Sequence, residues 1–95
     1  MIPGTISKLS EDTLASAATI YPKSDLVNLT GSTAVATIVP PYEGFSGILV
    51  LTPTDGTLGL LTTGNIAIAV TMPLNRATFL VYSKANDVWY PGALS

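Results

Sequence analysis

The sequence predicts an all-β fold: a small antiparallel β-sandwich or barrel of about seven strands, preceded by an extended N-terminal arm. From Asp25 onward, short apolar runs alternate at regular spacing with turn signals rich in Gly, Pro, Asn and Asp. Two runs, "TAVATIV" (33–39) and "IAIAVT" (66–71), alternate residue types with the period of a strand. The connections are short and leave no room for helical crossovers between parallel strands, which favours antiparallel pairing. The chain then divides into an arm over residues 1–24 and a β-domain over residues 25–95.

The arm, "MIPGTISKLSEDTLASAATIYPKS", holds four of the ten charged residues and shows no strand alternation. Ser10 followed by Glu11, Asp12 and Thr13 can cap one helical turn across Leu14 to Ala18, with the acidic pair at the positive end of its dipole. Tyr21-Pro22 ends such a turn, because a residue before proline is pushed towards extended geometry. The arm is otherwise read as extended, against the alternative of a disordered tail.

"DLVNLT" (25–30) is the first strand of the β-domain, and Gly31-Ser32 turns the chain. In "TAVATIV", Thr33, Val35, Thr37 and Val39 share one face and Ala34, Ala36 and Ile38 the other, until Pro40-Pro41 withdraws the backbone donors. "GILVLTP" (47–53) is nearly all apolar, as a strand buried on both faces would be. Asp55-Gly56 is a turn before "TLGLLT", and Thr63-Gly64-Asn65 is a turn before "IAIAVT". There Ile66, Ile68 and Val70 are assigned to the core, while Ala67 and Ala69 leave a flat face that another sheet or another subunit can approach closely. "MPLN" turns into "RATFLVYS" (76–83), and Lys84, Ala85 and Asn86 turn into the closing strand "DVWY". Trp89 is the single tryptophan and lies six residues from the end of the sequence. Large rings are seldom left on a segment that is not tied down, so Trp89 is expected to close one end of the sheets.

Composition narrows the partners. Charged residues are 11% of the chain, against about 25% in ordinary soluble domains, and mean hydropathy is positive. So few charges cannot cover the surface of a small domain, which predicts burial of apolar surface against further copies of the chain. Lys8, Lys23, Arg76 and Lys84 are scattered and the net charge is −2, so there is no clustered basic footprint for nucleic acid and no basic amphipathic helix for a membrane surface. The first residues lack the basic and apolar regions of a secretory signal, and no run reaches the ~18 apolar residues of a membrane helix. Cysteine is absent, which fits folding in a cytoplasm and removes disulfides and thiolate metal sites. Histidine is absent too, and Glu11, Asp12, Asp25, Glu43, Asp55 and Asp87 fall mostly at turns or in the arm, so no catalytic residue, metal site or cofactor is assigned. "GLLTTG" (59–64) lacks the lysine and following helix of a phosphate loop, and "NLT" (28–30) reads as strand rather than glycosylation acceptor. The most site-like stretch is "PPYEGFSG" (40–47), where Tyr42 and Phe45 flank Glu43 among prolines and glycines. Its rings either form a contact surface or fold back as a lid on the core.

The segments "SDLVNLTGSTAVATIVPPYEGFSGILVLTPTDG", "TTGNIAIAVT" and "RATFLVYSKANDVWYPG" together resemble a small β-rich module of tailed-bacteriophage virion proteins, over about Ser24 to Pro91. The resemblance implies a structural role on the particle without enzymatic residues, as a capsid decoration (cement) protein or as part of a tail fibre or spike, commonly as a homotrimer. A chain that starts at Met1 and reads as one domain with an arm suits the decoration role, with the major capsid protein as partner and the virion, assembled in the host cytoplasm, as location. Ile2, Ile6, Leu9 and Leu14 are then expected at the capsid contact, and Tyr42, Phe45, Ala67, Ala69 and Trp89 at the subunit interface. A fibre or receptor-binding module and a cellular carbohydrate-binding domain are the alternatives.

Overall fold

Every regular element among the described residues is a β-strand, and nine form in the computed structural model, which describes residues 11–92. They are β1 (Glu11–Ala15), β2 (Thr19–Ile20), β3 (Leu26–Thr30), β4 (Thr37–Ile38), β5 (Gly47–Pro53), β6 (Leu58–Leu60), β7 (Val70–Met72), β8 (Thr78–Ser83) and β9 (Val88–Pro91). The seven expected runs all supply a strand, and the two further ones come from the stretch read as an arm. Where a helical turn across Leu14 to Ala18 was expected, β1 occupies Glu11–Ala15 and pairs with β3 from Glu11↔Leu26 to Ala15↔Thr30. The alternation of Asp12 and Leu14, half-buried, with exposed Glu11, Thr13 and Ala15 shows why a strand forms: one face of this segment packs inward and the other meets water.

One sheet has the order β1-β3-β5-β8-β9, and two-stranded sheets pair β2 with β4 and β6 with β7. The antiparallel expectation holds for β5–β8–β9 and for β6–β7, whereas β1–β3, β3–β5 and β2–β4 are parallel. Parallel strands arise here without helices because the crossover from one large-sheet strand to the next is itself a strand of another sheet. The chain passes from β1 through β2 to β3, then through β4 to β5, and successive crossovers stack in parallel like turns of a coil. After β5 the chain makes the same pass again: Leu60 bridges Val35 in parallel, with Val35 N–H donating to the Gly59 carbonyl at 2.9 Å and Leu61 N–H to that of Val35 at 2.8 Å.

A single apolar cluster fills the space between the inner face of the large sheet and these crossovers. Val27 and Leu29 on β3, Leu49 and Leu51 on β5, Leu80 and Tyr82 on β8 and Trp89 on β9 point inward at strand period. Ile20, Val35, Ile38, Leu58, Leu60, Ile66 and Met72 meet them from the opposite side. "TAVATIV" and "IAIAVT" do not behave as full strands. Val35 and Ile38, assigned to opposite faces, are both buried because the segment is regular only at Thr37–Ile38. Ile66 enters the core as an isolated bridge to Trp89, while Ile68 turns out to solvent and β7 starts only at Val70.

Candidate functional site

Trp89 is fully buried, and its indole N–H donates to the Ile38 carbonyl at 2.9 Å. Its strand is held from the other edge by Asn65 and Ala67: Trp89 N–H donates to the Asn65 carbonyl, and Ala67 N–H to the Trp89 carbonyl. The Asn65 side chain also acts as a substitute strand for β4. Its carboxamide oxygen accepts from Ile38 N–H at 2.9 Å and its NH2 donates to the Ile38 carbonyl at 2.7 Å. That carbonyl thereby receives two bonds, from Asn65 and from Trp89, which joins β4, the 64–67 segment and β9 at one point. The ring expected to close the core does so, but it leaves no exposed surface for a partner subunit.

From Trp89 a ladder of rings climbs to the surface. Tyr82 lies 4.9 Å from Trp89 between centroids, Phe45 lies 6.0 Å from Trp89 and 6.1 Å from Tyr82, and Tyr42 meets Phe45 edge-on at 5.4 Å. Phe45 is half-buried and folds back on the core, as the lid reading expected, while Tyr42 is 65% exposed. A turn fixes this split: Phe45 N–H donates to the Tyr42 carbonyl at 3.2 Å, and Gly44 at the third position has φ +84°, as a type II turn requires. Beside Tyr42 opens a cleft of about 290 Å³ between the 41–45 loop and Pro22 to Asp25, with Trp89 among its lining residues. Burial, and then a hydrogen bond to the Asp87 carboxylate at 3.2 Å, push the Tyr82 phenol above its ordinary value. Among the described residues, no group of three or more acidic side chains could hold a metal ion, and every buried side-chain polar atom has a partner.

The other expected contact residues scatter. Ile2, Ile6 and Leu9 lie outside the described residues, and Leu14 is half-buried against the core. Ala67 and Ala69 are exposed, but on an irregular segment rather than on the flat face of a strand. One apolar surface that sequence reasoning did not single out is the outer face of the large sheet. Ile48 (57% exposed), Val81 (45%) and Tyr90 (39%) form one row across β5, β8 and β9, and Phe79 (48%) stands opposite Val50 in the next. The signal was the double apolar character of "GILVLTP" and "TFLVYS", which supplies a second face that, among the described residues, stays exposed at Ile48, Phe79, Val81 and Tyr90, with Val50 on it buried. A further open feature is β1, whose outer edge is unpaired among the described strands. Comparison of the chain with protein-family models, curated proteins and solved structures finds no match, so the reading rests on this geometry and on the sequence pattern.

Proposed function

We propose that the chain is a structural virion protein, a capsid decoration protein that binds the outer shell as a homo-oligomer, a trimer by its resemblance, and stabilises it. The observation that carries this reading is the bare outer face of the large sheet, where Ile48, Phe79, Val81 and Tyr90 stand on adjacent hydrogen-bonded strands. A continuous apolar patch of this kind on a small, weakly charged domain marks an interaction surface. Covering it with further copies also accounts for the low charge content of the chain. The free edge of β1 then offers backbone donors and acceptors to a strand of the major capsid protein. Many copies, each bound modestly, together resist expansion of the shell.

Light scattering on the full chain tests the assembly, and immunogold labelling of tailed-phage particles from its source tests the location. A concentration-stable trimer with label over the shell supports the reading. Label confined to the tail transfers the protein to a fibre or spike, and a dilute, soluble monomer without particle label overturns the proposal.

A further inference from the structure

We propose that the cleft beside the aromatic loop binds a single neutral pyranose ring, such as the terminal sugar of a glycan. Its volume of about 290 Å³ lies at the low end of ligand pockets, which suits one small ring rather than a peptide. Tyr42 forms one wall. Its ring cannot fold into the core, because Phe45 already occupies the place above Trp89 and holds Tyr42 edge-on at 89°. The turn closed between Tyr42 and Phe45 fixes the backbone beneath it, so a rigid aromatic platform remains 65% exposed at the mouth of the cleft. The negative face of such a ring attracts the weakly positive C–H groups on the apolar side of a sugar.

The opposite wall supplies the polar half of the recognition. Lys23, Ser24 and Asp25 all line this side, a cationic and an anionic residue beside a hydroxyl-bearing one. A wall of both signs favours a neutral polyhydroxylated ligand over a phosphate or a carboxylate. A purely apolar ring would cover these groups without giving them partners. The cleft borders the outer sheet face and shares Asp25 and Ile48 with it, whereas, of the two, Tyr42, Lys23 and Ser24 belong to the cleft alone.

The test uses the full chain with the methyl glycosides of glucose, galactose, mannose and N-acetylglucosamine, and with glycerol and inorganic phosphate as controls. Saturation-transfer NMR reads contact with the ring protons. Fluorescence of the single tryptophan, Trp89, buried beneath the cleft, gives a second, indirect readout. At least one glycoside is expected to bind with a dissociation constant on the order of 1 mM, and Tyr42→Ala to weaken it about tenfold. Ser24→Ala is expected to weaken it less, with the circular dichroism of both variants unchanged. Absence of transfer to every sugar overturns the proposal, as does glycerol or phosphate matching the sugars, or full retention of binding by Tyr42→Ala. An oligomer that Tyr42→Ala dissociates, and with which no sugar competes, would assign the cleft to a second copy of the chain and overturn it equally.

Discussion

Asn65→Ala is expected to be among the most damaging substitutions outside the apolar core, although the residue itself is only half-buried. Within the parallel β2–β4 pair, Thr37 and Val39 send their N–H groups to Ala18 and Ile20, so the N–H and C=O of Ile38 point the other way. Both meet the Asn65 carboxamide, at 2.9 Å and 2.7 Å. Alanine removes both bonds. The Ile38 carbonyl keeps Trp89 as a donor, so its loss is about 1 kcal/mol, whereas the N–H of this fully buried residue is orphaned at a cost of about 1–3 kcal/mol. The expected total is about 2–4 kcal/mol, a fall in melting midpoint of roughly 10–20 °C for a domain of this size. Urea unfolding followed by Trp89 fluorescence measures it, at one fixed chain concentration so that assembly does not confound the comparison. Asn65→Asp is the sharper companion: it keeps the acceptor for Ile38 N–H but turns a carboxylate oxygen towards the Ile38 carbonyl. It should be destabilised at neutral pH and recover as acid protonates the new carboxyl. A loss below about 0.5 kcal/mol for Asn65→Ala, within the range of ordinary surface substitutions, would refute the clasp.

Two glycines should respond for different reasons. Gly64→Ala would drive its Cβ into the Ala36 carbonyl and the Thr37 hydroxyl, and is expected to cost about 2–4 kcal/mol in the same urea assay. Gly44→Ala meets nothing within 4 Å but must hold φ +84°, so a loss of about 1–2 kcal/mol with displacement of Tyr42 is expected. The Tyr82 phenol, raised by burial and by Asp87, contributes stability that is fully present below the unfolded tyrosine value near 10 and is lost as pH rises through the folded value. Unfolding titrations should therefore show a decline in alkali that Tyr82→Phe reduces. Ile48→Lys together with Val81→Glu should leave the fold intact and abolish the proposed oligomer in light scattering, whereas Lys84→Ala, which removes an exposed ion pair at 3.4 Å, should change stability by less than about 0.5 kcal/mol.

How far the sequence revealed this fold depended on whether local pattern or distant pairing decided each segment. "GILVLTP" and "TFLVYS" were legible because their residues are central in a sheet and nothing in the local pattern competes with extended structure. "IAIAVT" was misread because the same alternation also suits an irregular segment that inserts one residue, Ile66, beside Trp89 and then leaves the core. The strand at Glu11–Ala15 was hidden by its charges. Glu11 and Asp12 resemble a helix start, yet the Asn28 carboxamide donates to Glu11 at 2.8 Å from the neighbouring strand, a partner 17 residues away that no short window contains. Parallel pairing was hidden for the same reason, since the crossovers are two-residue strands whose identity depends on each other.

The candidate surfaces show the same division between local and distant information. Tyr42 and Phe45 could be singled out from "PPYEGFSG" but not assigned to opposite roles, because the choice follows from where Trp89 ends up, forty-four residues after Phe45. The outer sheet face was present in the sequence as an excess: "GILVLTP" and "TFLVYS" carry two apolar faces where the chain has core for one. Read alone, that excess meant a strand buried on both sides. With the crossovers all stacked against the inner face, Ile48, Phe79, Val81 and Tyr90 on the second face stay exposed among the described residues. The low charge content and the bare row of Ile48, Val81 and Tyr90 are therefore one fact seen at two levels. A variant that polarises this row tests the proposed assembly without touching the core, which separates that proposal from the fold.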